Sequence, residues 1–244
     1  GRQTATGLSA TLSSTDPDVT VIDDTATFPT TWVWGLSPSE APDFEVSASP
    51  DAEGAIEMVL MISCDQEDQP QETRFHLFIG PTETIYEESF DSGMNGWTHG
   101  GTFDDWQCAS SSYYYWKPDP YYARSGNACL GTDLNDGLNI LYESYADSWA
   151  QSPVIDCTDK EGVHVSFWRW LTVEEGIYDD ATFYVNGVQL FANPSNELFF
   201  DTRWEEVVYD ISAIADHNPS VQLRFELDAD SNLEYGGWGI DDVR

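Results

Sequence analysis

Positive charge is scarce in this sequence. Its 244 residues include 9 Lys and Arg against 44 Asp and Glu, which gives a formal net charge of −35. A surface of that charge repels nucleic-acid phosphates and anionic lipid headgroups. Neither nucleic acid nor a membrane surface is therefore expected as a partner. Most of the acids are expected to face water, while a few of them converge on a hard cation that prefers oxygen ligands.

Long apolar runs are also missing. No stretch of about eighteen apolar residues occurs, so no segment is expected to insert into a membrane. No signal peptide is visible at Gly1, and the chain opens within a strand-like pattern and stops at Arg244 inside another. We expect a fragment of a larger polypeptide.

The residue patterns of common catalytic and zinc sites are absent as well. The four histidines, His76, His99, His164 and His217, are scattered, and neither HExxH nor GxSxG occurs. The adjacent acids Glu174 and Glu175 could suggest glycoside hydrolysis, which uses two carboxylates. In a chain with 44 acids, however, such pairs arise by chance. Four cysteines without CxxC spacing argue against zinc and favour disulfides in an extracytoplasmic protein. No catalytic residue is expected.

Short segments of period-two alternation are what the chain does contain. They lie at residues 19–22, 44–47, 57–62 and 74–79, between clusters of Asp, Pro, Gly and Ser. Such segments are typical of antiparallel strands. No helical periodicity competes with them, so the sequence predicts an all-β protein, with six or seven strands in the first 80 residues.

A short polar hinge lies at residues 81–84, and the composition of the chain changes after it, because aromatic residues become frequent after Tyr86. We predict two domains, residues 1–82 and 86–244. The strand rhythm of the first is that of an immunoglobulin-like β-sandwich spacer.

An ordered set of motifs marks the second domain. The set opens with EESFDSGMNGW at residues 87–97 and closes with GGWGIDDV at residues 236–243. Between them lie SGNACLGT (125–132), SPVID (152–156), VSFW (165–168), YDDA (178–181), VNG (185–187), WEEV (204–207) and VQLRF (221–225). In order and spacing the set resembles the cleaved-adhesin modules of gingipain-type secreted proteins, the tail of immune-inhibitor-A-type proteins and, more distantly, MAM domains.

This resemblance implies a jelly-roll β-sandwich of the concanavalin or galactose-binding type that holds at least one structural calcium ion. The ion would lie where the first and last strands of the domain meet. The resemblance nominates Asp91, Asp179, Asp180, Asp241 and Asp242 as its ligands, with Glu88 as a further candidate.

The resemblance also bears on the cysteines, since its second motif often carries a second cysteine. It implies a disulfide between Cys108 and Cys129, which bracket an aromatic loop. Cys64 and Cys157 are then left either as a bridge between the domains or as free buried thiols.

That aromatic loop is the most unusual local feature of the chain. Its candidate ligand-binding residues are Tyr113, Tyr114, Tyr115, Trp116, Tyr121 and Tyr122. Consecutive aromatics on a strand cannot all point inward, because side chains alternate between faces. We expect them either to bind a ligand or to pack over the outer face of the domain or against the first domain. The tryptophans at the motif strands (Trp97, Trp106, Trp168, Trp170, Trp204 and Trp238) are expected in the core.

Together these features predict a non-catalytic adhesion or ligand-binding module of a larger extracellular or cell-surface protein. Its partner would be a protein or a carbohydrate on a surface. A rigid spacer or self-associating filament subunit is the alternative, and a fragment of a carbohydrate-active or peptidase-associated enzyme ranks third.

Overall fold

A computed structural model describes residues 4–31, 38–41, 43–52, 54–110, 120–134 and 141–244. The chain divides into two compact units, Gly1–Glu83 and Thr84–Arg244. Strands dominate both, and the one α-helix in the described ranges, α1 (Ser212–Ala215), is a single turn. The predicted all-β class is confirmed. No helix among the described residues is both long enough and apolar enough to cross a bilayer.

The first unit contains two antiparallel sheets. The larger has the order β3-β1-β5-β6, and the smaller pairs β2 with β4. The strands are β1 (Ser9–Ser13), β2 (Val19–Asp23), β3 (Thr25–Thr27), β4 (Glu45–Ala48), β5 (Gly54–Ser63) and β6 (Gln71–Ile79). Four of these strands match the predicted alternating segments to within a few residues.

Alternation of buried and exposed side chains along the strands of this unit forms its core. Leu12 of β1 and Ile56 and Met58 of β5 are buried from the larger sheet, and Val19 of β2 is buried from the smaller one. These side chains form one cluster, because residues two apart on a strand share a face. The two sheets therefore pack face to face as a small sandwich.

The second unit is a larger sandwich of two antiparallel sheets. One has the order β13-β12-β16-β10-β7, and the other has the order β14-β11-β17-β9-β8 with β15 also on β11. The strands are β7 (Thr98–Thr102), β8 (Trp106–Ala109), β9 (Cys129–Thr132), β10 (Asp147–Gln151), β11 (His164–Val173), β12 (Asp180–Val185), β13 (Val188–Ala192), β14 (Phe199–Phe200), β15 (Glu205–Asp210), β16 (Leu223–Asp228) and β17 (Gly237–Asp241).

Aromatic rings from both sheets fill the space between them. Phe183 and Phe225 of the five-stranded sheet stack with ring centroids 4.7 Å apart. Phe167 meets both of them edge-on at 5.0 Å, and Trp238 lies 5.2 Å from Phe225. Such edge and offset contacts add to the free energy of burying the rings. Phe167 and Trp238 come from the six-stranded sheet, so this cluster joins the two layers.

The tryptophans divide between two faces of the six-stranded sheet. Trp97, Trp106 and Trp238 lie in the main core, as expected. Trp170 and Trp204 are buried in a separate cluster that also contains Cys129 and Leu134. A second apolar layer therefore covers the outer face of this sheet.

The expected disulfide between Cys108 and Cys129 is not found, since none of the four cysteines, all of which lie in the described ranges, is disulfide-bonded. The cause is the register of β8 and β9, which places Cys108 opposite Leu130 and Ala109 opposite Cys129. Residues directly opposite share a face, so Cys108 and Cys129 point to opposite faces of the sheet. Cys108 packs on the main core and Cys129 belongs to the outer cluster. Cys64 and Cys157 are free thiols.

Candidate cation-binding and ligand-binding sites

The first and last segments of the second unit meet, as the sequence suggested. Glu88 and Val243 exchange two backbone hydrogen bonds of 2.9 Å. Oε1 of the buried Glu88 side chain accepts hydrogen bonds from Phe90 N at 2.7 Å and from Asn95 Nδ2 at 3.0 Å. One predicted metal ligand is therefore fixed at this junction.

Asp91 lies against the segment that carries Ser125. Its Oδ1 accepts hydrogen bonds from Asn127 N at 2.6 Å and from Ala128 N at 3.2 Å. A Cβ atom at Gly126, whose φ is +57°, would overlap this carboxylate. Glycine at this position is therefore what lets the loop close on Asp91.

Asp241 and Asp242 reach the same loop through Ser125. Asp241 Oδ2 accepts a hydrogen bond from Ser125 N at 3.1 Å, and Asp242 Oδ1 accepts one from Ser125 Oγ at 2.7 Å. Burial raises the pKa of Asp241 to about 7, although backbone donors at Ser125 and Asp242 act in the opposite direction. Glu88, Asp91, Asp241 and Asp242 are called the terminal cluster below.

The terminal cluster partly fits the calcium that the resemblance implies. Glu88 and Asp91 each use only one carboxylate oxygen in a described hydrogen bond, and no described salt bridge reaches any of the four acids. Within the described ranges, however, no three of their ligand atoms lie within 4.8 Å of one another. The donors are oxygens of the type that calcium prefers, but they are spread apart.

The structure separates the other two nominated ligands from this cluster. Asp241 lies opposite Trp168 in the pairing of β17 with β11, whereas Gly237 at the other end of β17 lies opposite Thr172. Tyr142, whose hydroxyl donates a hydrogen bond to Asp179 Oδ2, lies beside Gly237. Asp179 is therefore near that other end of β17, which is about 13 Å of strand away from Asp241. The structure does not bring Asp179 and Asp180 together with Asp91 and Asp241, because Asp179 and Asp241 lie near opposite ends of β17.

Asp179 instead belongs to a second group of acids, which we call the acidic trio: Glu174, Asp179 and Asp230. Their carboxylate oxygens all lie within 4.8 Å of one another, and this is the one such trio of possible metal ligands among the described residues. Burial is the main cause that raises the pKa of Glu174 and of Asp179, and neighbouring carboxylates add to it. Sequence reasoning missed Glu174 and Asp230, because residues 56 positions apart meet here only where the two sheets pack against each other.

Asp180 lies in a row of aspartates that crosses three strands. It is directly opposite Asp228 of β16, which is in turn opposite Asp147 of β10. Burial and then the neighbouring acids raise the pKa of Asp180 and of Asp228. Like charges at directly opposite positions destabilise a sheet.

The aromatic loop lies partly outside the described residues, since Tyr113, Tyr114, Tyr115 and Trp116 fall in the range 111–119. Tyr121 and Tyr122, which follow it, are 44% and 64% exposed. The Tyr121 ring meets the edge of Trp170 with 6.1 Å between centroids. Trp204 Nε1 donates a hydrogen bond of 2.9 Å to the Tyr122 carbonyl. Both tyrosines are therefore anchored to the outer apolar layer yet open to solvent.

Three of the histidines pair with carboxylates, and the longest of these contacts joins His164 Nε2 to Asp210 Oδ1 at 4.0 Å. His99 Nδ1 lies 2.8 Å from Asp104 Oδ2, and His217 Nε2 lies 3.1 Å from Glu161 Oε1. Neither His99 nor His217 contacts a serine or a cysteine among the described hydrogen bonds. These pairs lack the nucleophile of a hydrolase site.

Comparison with known proteins finds sequence similarity over part of the chain. No protein-family model matches the chain. Bacillopeptidase F of Bacillus subtilis (strain 168) is 27% identical over 180 residues, which cover 69% of this chain and 11% of that protein. The chain thus spans about a tenth of the length of this curated relative.

Two solved structures illustrate the structural likeness. The K1 cleaved adhesin domain of Lys-gingipain from Porphyromonas gingivalis W83 matches with a TM-score of 0.43 and 15% identity, over 66% of this chain and 96% of that one. A carbohydrate-binding module of the β-sandwich superfamily matches with a TM-score of 0.39 and 12% identity, over 100% of this chain and 98% of that one.

Proposed function

We propose that the chain is a non-catalytic ligand-binding module of a larger extracellular protein, and that it attaches that protein to a surface carbohydrate or protein. One observation carries the proposal: Tyr121 and Tyr122 are adjacent, largely exposed and backed by the buried Trp170 and Trp204.

The chemistry of this pair suits recognition. A tyrosine ring offers a large apolar face and a hydroxyl while losing only two side-chain torsions on binding. Here Trp204 donates a hydrogen bond to the carbonyl of Tyr122, and Trp170 packs against the ring of Tyr121. These contacts restrict both residues before a ligand binds, which lowers the conformational entropy lost on binding. Tyr113, Tyr114, Tyr115 and Trp116 are further ligand-binding residues in this proposal.

Calcium is the cofactor in this proposal, at the terminal cluster. Glu88, Asp91, Asp241 and Asp242 would hold it, and the ion would neutralise carboxylates that no described basic side chain pairs. The buried carboxylate of Asp241, whose pKa is raised to about 7, supports a cation nearby when that group is charged.

The test is retention on immobilised probes: insoluble cellulose, chitin and xylan, and the glycoprotein mucin. We expect at least one of them to retain the chain. The double variant Tyr121→Ala/Tyr122→Ala should lose retention while its melting temperature stays unchanged, since exposed aromatics contribute more to interfaces than to cores.

Tyr145→Ala is the matched control, because Tyr145 is 63% exposed and belongs to a different loop. Equal retention of the double variant and the control would contradict the proposal, as would no retention on any probe. Concentration-dependent assembly without any probe, measured by size-exclusion chromatography, would favour the spacer or filament subunit instead.

A further inference from the structure

We propose that the acidic trio is a second divalent-cation site of the calcium class, separate from the terminal cluster and at the opposite end of β17. Glu174 directly follows β11, Asp179 directly precedes β12, and Asp230 lies two residues after β16. Strands β12 and β16 belong to one sheet and β11 belongs to the other. A cation here would therefore tie the two sheets together at the rim of the sandwich.

Glu174 is the observation that points to a ligand. The residue is 6% exposed, and its carboxylate accepts no hydrogen bond and forms no salt bridge among the described residues. A carboxylate that is largely withdrawn from water without a donor or a counter-charge is disfavoured in its charged form. Its oxygen lies within 4.8 Å of the carboxylate oxygens of Asp179 and Asp230, so it points into the trio. A cation at that point would satisfy all three groups together.

The Asp179 carboxylate is oriented by two hydrogen-bond donors. Asp179 Oδ2 accepts a hydrogen bond from the Tyr142 hydroxyl at 2.5 Å, and Asp179 Oδ1 accepts one from Asp230 N at 2.7 Å. Each oxygen keeps a further lone pair for a metal. Donors of this kind orient metal-ligating carboxylates.

Asn193 positions the loops that carry two of the acids. This buried side chain donates from Nδ2 to the carbonyls of Glu174 at 2.7 Å and Asp179 at 3.0 Å. Its Oδ1 accepts a hydrogen bond from Ala181 N at 2.8 Å. One amide thus fixes the two loop backbones relative to each other, which is what a preformed cation site requires.

The donor set selects the class of ion. All three ligand groups are carboxylates, which suit hard cations and not the softer ions that take sulfur or imidazole. Asp230 is only partly buried, so water reaches the trio from its side. Calcium accepts six to eight oxygens in a flexible shell that includes water, whereas magnesium demands a near-ideal octahedron.

The experiment is a calcium titration of the EDTA-stripped full chain by isothermal titration calorimetry, with terbium luminescence as a second readout. We expect terbium luminescence excited through Tyr142, which is hydrogen-bonded to a ligand carboxylate. Glu174→Gln should weaken calcium binding at this site about tenfold or more. Asp230→Asn gives the same test if Glu174→Gln does not fold.

Two control variants separate this site from its surroundings. Glu175→Gln makes the same charge change on the neighbouring residue, which lies outside the trio, and should bind calcium like the original chain. Asp91→Asn alters only the terminal cluster and should leave the trio's isotherm and luminescence intact. Calcium binding that Asp91→Asn abolishes and Glu174→Gln leaves unchanged would overturn the proposal, as would the absence of any calcium binding. Neither result depends on whether the tyrosine surface binds a ligand.

Discussion

Arg169 and Asp201 form an ion pair that is almost completely withdrawn from water. Arg169 Nε lies 2.9 Å from Asp201 Oδ2, and the two side chains are 11% and 9% exposed. The same oxygen accepts a hydrogen bond from Leu171 N at 2.9 Å. The guanidinium lies 4.7 Å from the ring centroid of Phe199. The pair therefore links β11, which carries Arg169, to the residue that directly follows β14.

Removing one partner of this pair should destabilise the folded chain. Arg169→Ala should lower the free energy of unfolding by about 3–5 kcal/mol, because it leaves the Asp201 carboxylate buried without its counter-charge. Urea unfolding followed by tryptophan fluorescence measures this change. The matched control is Arg203→Ala, whose pair with Glu205 is exposed (69% and 40%) and should contribute about 0–1 kcal/mol. Equal losses in the two variants would contradict this account.

The same carboxylate predicts a pH dependence of stability. Burial raises the pKa of Asp201 above its ordinary value of 3.8, even though Arg169 acts in the opposite direction. A group whose pKa is raised on folding contributes stability that is fully present below its unfolded pKa and is lost as pH rises through its folded pKa. The original chain should therefore gain stability relative to Asp201→Asn as pH falls from 7 towards 3.8. Parallel urea titrations measure the difference, and a gain towards higher pH would show the sign to be wrong.

The aspartate row predicts a stabilising substitution. Asp228 lies between Asp147 and Asp180 at directly opposite positions of three strands. Asp228→Asn should raise the free energy of unfolding by about 0.2–1 kcal/mol at low ionic strength. The gain should shrink in molar salt, where charges are screened. Asp159→Asn removes an exposed acid elsewhere and serves as the control; a salt-independent gain in Asp228→Asn would rule out charge repulsion as its cause.

The cysteines predict a chemical result. Burial is the main cause that raises the pKa of the Cys108 and Cys157 thiols, so little thiolate forms near neutral pH. Iodoacetamide should alkylate both slowly in the folded chain and rapidly after unfolding in urea. Mass spectrometry of unreduced peptides should recover all four cysteines as thiols or alkylated thiols. A linked peptide containing Cys108 and Cys129 would contradict the observed register.

Local alternation was enough to predict the strands. The segment at residues 57–62 became part of β5 (Gly54–Ser63), in which Ile56 and Met58 are buried and Glu57 is exposed. The pattern is readable because one face of β5 meets the core and the other meets water. The class of fold follows from many such segments.

Long-range register was the information that the sequence lacked. A shift of one residue between β8 and β9 would have placed Cys108 and Cys129 on one face, and nothing local to either strand indicates which pairing forms. The acidic trio depends on long-range information of another kind, because Glu174 and Asp230 follow strands of different sheets and meet only where those sheets pack together. Adjacent acids such as Asp179 and Asp180 were grouped by sequence, but alternation sends them to different neighbours.

The pairing of Glu88 with Val243 also determines how the second unit would carry mechanical load. These segments run antiparallel, so the incoming and outgoing ends of the unit emerge side by side. A tensile force applied through those ends would pull the two segments apart perpendicular to their length, and their hydrogen bonds would break one after another. Segments loaded along their length instead share the force among all their hydrogen bonds. The junction at Glu88 and Val243 would therefore open first under tension, while the aromatic contacts between Phe167, Phe183 and Phe225 would remain unloaded.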